Sequence, residues 1–480
     1  MMLTILLKSN DPMPLYQQLY SGIRCEIEKG GLCPDEKLPS KRTLAAHLQV
    51  SLATVQAAYD QLLAEGYIRS VPRKGYYTEH CAVLTHEEPP SEHVPHVQPQ
   101  ACRNPERVRF ATNGVDTQQF PFTIWAKLSR QILSGQQEAL MQPIPPDGLY
   151  ELRAAIAQNL YAFRSLHVEP EQILVGAGSE YLLGLLVQLL GRDRCCAVED
   201  PGYRKTQSIL ESNGMKTVPV PMDEDGLSAQ ALVSSGADIV HVTPSHHFPL
   251  GIVMPVSRRI ALLQWAAEQP HRYIIEDEYD SEIRFTGMPI PTLRSLDQSD
   301  RVIYMNTFAK TLTPSLRISY LVLPRTLRVQ FQENLSFYAN TVPSFEQYTL
   351  ARFLREGYFE RHLNRMKKTY RKRRDRLMTV IRSHPLAPYL EIVGADAGLH
   401  FLLHVHLPVP EQTLIALAEK AGVDITGLSA YYAEKDAGFF PHPVLILGYA
   451  CLSEETAAGA MQHVLDVWQQ YLRTKGFFSV

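Results

Sequence analysis

Hydrophobic positions follow two different rhythms along this chain. From Pro12 to Glu79 they recur at helical spacing. Leu15, Leu19, Ile23 and Ile27 line one face of a first amphipathic helix that stops near Gly30-Gly31. Pro39-Ser40 caps a short second helix carrying Leu44 and Leu48. Val50-Ser51 breaks it, and Ser51 caps a third helix with Val55, Ala58, Tyr59, Leu62 and Leu63 inside. Glu65 to Ile68 closes that helix and opens a hairpin, with Arg73-Lys74-Gly75 at its tip and Tyr76-Tyr77 returning. Two helices joined by a short turn form a helix-turn-helix, and the basic hairpin beside them completes a winged helix.

Further along, the rhythm changes to short continuous apolar runs, each ending in a polar cluster. Gln172 to Gly176 reads as a strand, followed by a glycine-rich turn and a helix opening at Gly178-Ser179-Glu180. A second run ends in Glu199-Asp200-Pro201-Gly202-Tyr203, and a third in Asp277-Glu278-Tyr279-Asp280. A fourth, Arg301 to Met305, stops at Asn306-Thr307 and places Lys310 just beyond it. Arg317 then opens the next strand, Ile318 to Leu323. The chain therefore reads as an N-terminal winged helix-turn-helix followed by a larger α/β domain.

The polar clusters carry compatible chemistry. A lysine between two core strands is costly unless paired or used, and a desolvated lysine condenses with aldehydes. A lysine on an exposed loop tip is the other reading of Lys310. Asp277 can hold the ring nitrogen of a pyridine protonated, and Tyr279 can donate to a phenolic oxygen on it. The turn at Gly178 presents N–H groups and a positive helix end to a phosphate. Tyr203 can stack on a flat ring. Together these are the requirements of pyridoxal 5′-phosphate.

On these motifs the stretch from about Arg109 onward resembles a fold-type I aminotransferase, with GAGSE, EDPGY, TPSHHFPLG, EDEYD, NTFAK and SLRISY in that family's order. The resemblance implies that Lys310 is the lysine bonded to the cofactor, Asp277 its ring-nitrogen partner, Tyr279 its O3′ partner and Tyr203 its stacking ring. It puts Gly178, Ser179, Glu180, Thr307 and Arg317 around the phosphate. The N-terminal stretch LPSKRTLAAHLQVSLATVQAAYDQLLAEGYIRSVPRKGYY resembles a GntR-type DNA-binding domain. That resemblance implies DNA contacts at Lys41, Arg42, Ser51, Thr54, Gln56, Arg73 and Lys74. One position departs: after the capping serine the family usually has arginine, and here it is Leu52.

The combination is similar to the MocR/GabR subfamily of transcription regulators. It implies domains at 1–79 (DNA-binding), 80–107 (linker) and 108–480 (cofactor-binding and sensing). It also implies operator DNA as partner, a homodimer, and an amino-compound effector: an amino acid, a GABA-like amine or the cofactor itself, sensed through external aldimine formation. Arg204, Lys205 and His246 are candidates for holding the effector. A working aminotransferase with an accessory DNA-binding domain is the competing reading. Against turnover stands Ile446, where such enzymes place an arginine for the substrate carboxylate. No arginine occurs between Arg382 and Arg473.

Composition adds boundaries rather than identity. The chain has 480 residues, 45% hydrophobic and 20% charged, with net charge −3, which argues against a general polyanion binder but not against a local basic patch. Cys81 to Arg107 holds five prolines and no apolar period, as a semi-extended tether would. The irregularly spaced His80, His86, His93 and His96 do not suggest a metal site. Seven cysteines without CxxC pairs fit a reducing cytosol, and no apolar run suits a membrane span. The basic run Met366 to Arg376 reads as a nucleic-acid patch or as the solvated face of a long helix.

Overall fold

The computed structural model describes residues 5, 7–8, 12–80, 107–112, 114–135, 137–287, 290–433 and 441–477. Two compact units separate at Arg103–Asn104. Most of the expected linker, with His86, His93 and His96, lies outside the described residues.

The small unit folds as its apolar spacing dictates. Helices α1 (Leu15–Glu28), α2 (Lys41–Leu48) and α3 (Leu52–Ala64) enclose Leu19, Ile23, Leu44, Val55, Ala58, Tyr59 and Leu62. Ser40 and Ser51 cap α2 and α3, accepting from the N–H of Thr43 at 3.2 Å and of Thr54 at 3.1 Å. Each such cap contributes about 1 kcal/mol. Strands β1 (Ile68–Val71) and β2 (Gly75–Thr78) pair antiparallel, and Arg73 turns the tip with φ +62°.

The large unit contains fourteen strands among the described residues: β3 (Val108–Arg109), β4 (Ile173–Gly176), β5 (Cys195–Asp200), β6 (Lys216–Asp223), β7 (Gly226–Leu227), β8 (Ile239–Val242), β9 (Tyr273–Glu278), β10 (Val302–Thr307), β11 (Ser319–Val322), β12 (Leu390–Val393), β13 (His400–Val405), β14 (Val423–Asp424), β15 (Thr426–Gly427) and β16 (Val444–Gly448). Eight form one sheet in the order β4-β11-β10-β9-β8-β5-β6-β7. The five central strands β10, β9, β8, β5 and β6 run parallel, while β11 is antiparallel to both neighbours. Helices bury both faces, which is why the strands read as unbroken apolar runs. On one side Leu182, Leu186, Leu327 and Phe331 meet Ile275 and Met305; on the other Leu152, Ile156 and Phe353 meet Tyr304 and Tyr320.

A second sheet, β12-β13-β16-β15, packs on helices Tyr358–Ser383 and Glu454–Thr474 around the buried Trp468. Strand β3 pairs with β14 in parallel. The basic run lies on helix Tyr358–Ser383, but it is not simply solvated. Arg373 bonds Asp116 and the carbonyl of Ala450, both at 2.6 Å, and Arg374 donates to the carbonyl of Ala395 at 2.9 Å. Those cations are spent on structure. Phe353 belongs to the preceding helix, Ser344–Arg355, and Gly357 with φ +71° separates the two.

Candidate functional site

Four strand ends at the carboxyl edge of the parallel sheet open into one cavity of about 260 Å³. An α/β sheet places ligands outside that edge because helix N-termini converge there. All nine residues assigned to the cofactor line this cavity. Lys310 sits in the turn between β10 and β11, and burial lowers its pKa against the opposing pull of Asp280. The turn is pinned from below, where His362 Nε2 lies 2.8 Å from the carbonyl of Thr311.

Asp277 is the penultimate residue of β9, its carboxylate 3.4 Å from His241 Nε2 on the neighbouring β8. Deeper, Glu199 accepts from the N–H and hydroxyl of Thr243, and burial pushes its carboxyl up to about 7. Burial also raises the Tyr279 hydroxyl well above its ordinary range, so it stays protonated and able to donate. That hydroxyl lies 3.2 Å from His246 Nδ1, which in turn is 2.9 Å from Asp280 Oδ2.

The opposite wall is a helix N-terminus flanked by two cations. Helix Ser179–Leu190 begins at Gly178, whose φ is +94°. That left-handed φ is what calls for glycine, and a Cβ there would lie 2.6 Å from Arg317 Nη2 and push the guanidinium aside. Arg317, itself left-handed at φ +53°, donates to Glu180 Oε2 at 2.6 Å, and Lys205 bonds the other oxygen of the same carboxylate. Thr307 Oγ1 accepts from the Ser319 hydroxyl at 2.8 Å. Tyr203 stands before helix Arg204–Ser212, edge-on to Phe248 at 5.7 Å. Lysine, acidic partner, hydroxyl donor and glycine-lined cradle thus fit a pyridine aldehyde phosphate.

The effector candidates divide. Lys205 lines the cavity, but Glu180 holds its ammonium. Arg204 does not line it: the guanidinium points elsewhere and donates to the Tyr432 carbonyl at 2.9 Å. His246 also stands outside, buried behind Tyr279. Ile446 is fully buried on β16 between Leu402 and Thr426, where it packs as core.

In the small unit, Arg42, Arg73 and Lys74 are exposed. Lys41 and Gln56 engage each other at 2.6 Å, and Gln56 also donates to Asp60 at 2.7 Å. Ser51 and Thr54 are joined by the cap. Sequence reasoning missed His241, although a lone histidine inside the apolar Ile239-Val-His-Val242 is a signal for a buried partner.

Two family models match the chain: "Aminotransferase class I and II" over residues 105–462, and "Bacterial regulatory proteins, gntR family" over 15–77. An HTH-type transcriptional regulator of Bacillus subtilis, YdeL, is 41% identical over 95% of this chain and 97% of its own. The probable rhizopine catabolism regulatory protein MocR of Rhizobium meliloti is 35% identical over 94% of this chain and 93% of its own. The chain belongs to the MocR/GabR subfamily. Like other MocR-type proteins it is a transcriptional regulator that joins a GntR helix-turn-helix to an aminotransferase-like domain. For that domain the fold is shared with the multiple substrate aminotransferase of Thermococcus profundus: TM-score 0.66 at 21% identity, over 78% of this chain and 93% of that one. Among the described residues, no helix of this MocR-type chain is long and apolar enough to cross a membrane.

Proposed function

We propose that this MocR-type regulator binds pyridoxal 5′-phosphate in its large unit, senses an amino compound or the cofactor itself there, and reads operator DNA as a homodimer with its small unit. The observation that carries this reading is the convergence of Lys310, Asp277 and the Gly178–Arg317 cradle on one cavity. When bound, the cofactor supplies an aldehyde carbon that condenses with amines. Lys310 is the amine held for it, and desolvation favours its neutral, nucleophilic form. Asp277, with His241 beside it, keeps a proton on the ring nitrogen. Tyr279 donates to O3′, Tyr203 covers the ring, and Ser179, Thr307 and Arg317 hold the phosphate. In this division residues 1–79 bind DNA, 80–107 tether, and 108–480 sense. Arg42, Arg73 and Lys74 grip phosphates.

Two variants test the two halves. Lys310→Ala should lose the visible absorbance of the bound cofactor while operator binding is still measurable. A retained band with the same mass adduct would overturn the lysine assignment. Arg42→Ala should weaken operator binding, flatten its salt dependence by about one unit of slope, and leave the absorbance unchanged. Undiminished affinity in this variant would count against the DNA-facing role of α2.

A further inference from the structure

Helix α3, which a helix-turn-helix presents to the major groove, contains no lysine or arginine. Its exposed arc consists of Leu52, Ala53, Gln56, Ala57 and Asp60, opposite the buried Val55, Ala58, Tyr59 and Leu62. The two polar members of that arc are engaged within the unit. Gln56 Oε1 accepts from Lys41 at 2.6 Å while its Nε2 donates to Asp60 at 2.7 Å, and Asp60 is also 3.7 Å from Lys41. Ser51 and Thr54, at the leading end, are tied together by the cap. What the arc turns outward at its leading end is therefore hydrocarbon: Leu52, 48% exposed, and beside it the Ala53 methyl. Cations for the DNA backbone stand on other elements, at Arg42, Arg73 and Lys74.

The N-terminal residues of a recognition helix are the ones that meet base edges. Among those edges the apolar feature is the C5 methyl of thymine. We infer that Leu52, with Ala53, reads thymine methyl groups in the operator, so that specificity at this contact is for a methyl rather than for a hydrogen-bonding edge. An arginine at this place would instead favour the O6 and N7 of guanine.

Resting as it does on the small unit's role as a DNA reader, this contact is tested with the full chain carrying its cofactor. Preferred sites are selected from a random duplex pool, and the consensus is remade with each dT replaced in turn by dU, which removes only the methyl. At one or two positions per half-site dU should weaken binding about three- to tenfold, the scale of one buried methyl group. Leu52→Ala should weaken binding to the dT duplex by a similar factor and lose the dU sensitivity of at least one of those positions. Leu52→Arg should select guanine there. Affinity unchanged by every dU, or dU sensitivity that persists undiminished at every position in Leu52→Ala, would overturn the inference while leaving DNA binding intact. Selection of no sequence at all would instead remove the DNA-reading role beneath it.

Discussion

Glu180 makes the cradle hold its own competitor. It stands in the first turn of the helix whose N-terminus lines the cavity, where the proposed phosphate would sit, and it ties up both Arg317 and Lys205. The Lys205 and Arg317 hydrogen bonds hold its carboxyl below the usual range, so it is charged at neutral pH. A negative charge beside a phosphate weakens binding. Glu180→Gln should therefore bind the cofactor several-fold more tightly in a spectroscopic titration. The same change should lower the thermal midpoint of the cofactor-free protein, because two cations lose their common counter-ion. If titration gives wild-type affinity, the carboxylate does not oppose the phosphate. Gly178 was legible in the sequence because a glycine between strand and helix has few other uses. The choice between Arg204 and Lys205 was not legible. Consecutive helical residues point about 100° apart, and only the tertiary setting of the helix decides which one meets the cavity.

Among the elements, the turn carrying Lys310 depends on a helix more than fifty positions away. His362, fully buried on helix Tyr358–Ser383, meets the Thr311 carbonyl. Desolvation lowers its pKa to about 4, below the roughly 6.5 of a free imidazole. Above pH 6.5 neither state binds the proton, and the contact costs nothing. As pH falls below 6.5 the unfolded chain takes up a proton that the folded chain refuses until about 4, so stability declines across that window. At pH 5 the loss is on the order of 2 kcal/mol. His362→Gln keeps a donor for the carbonyl and cannot titrate. Its urea-unfolding stability should fall less between pH 7 and pH 5 by about that amount, while His247 and His400, shifted in the same direction, still contribute. An identical fall in both proteins would refute the assignment. Strand ends were readable as apolar runs stopping at polar clusters. The buried use of Arg373 and Arg374 was not, since Asp116 and the Ala395 carbonyl are brought to them only by the tertiary fold.

For the whole molecule, the proposed reading combines the Lys310 cavity with Ile446, a core residue, at the place the aminotransferase resemblance gives to a carboxylate-holding arginine. Ile446 supplies neither charge nor a fork for a carboxylate, and a held, correctly rotated substrate is what turnover requires. A cognate amine should therefore change the cofactor's absorbance without sustained transamination. Steady multiple turnovers with any common amino acid and keto-acid pair would promote the aminotransferase reading instead. The pairing of β3 with β14 bears on a different matter, the order in which the chain comes alive on the ribosome. Arg107, beside β3, bonds Asp424, 317 positions later, whereas the core of the small unit is complete by Thr78. At bacterial-scale synthesis rates of about 5–20 residues per second, roughly 17–70 s separate the two. During that interval a small unit with a complete core precedes an unfinished large one. Ribosome-bound chains stalled before residue 423 should accordingly show a protease-resistant small unit beside a still digestible large one.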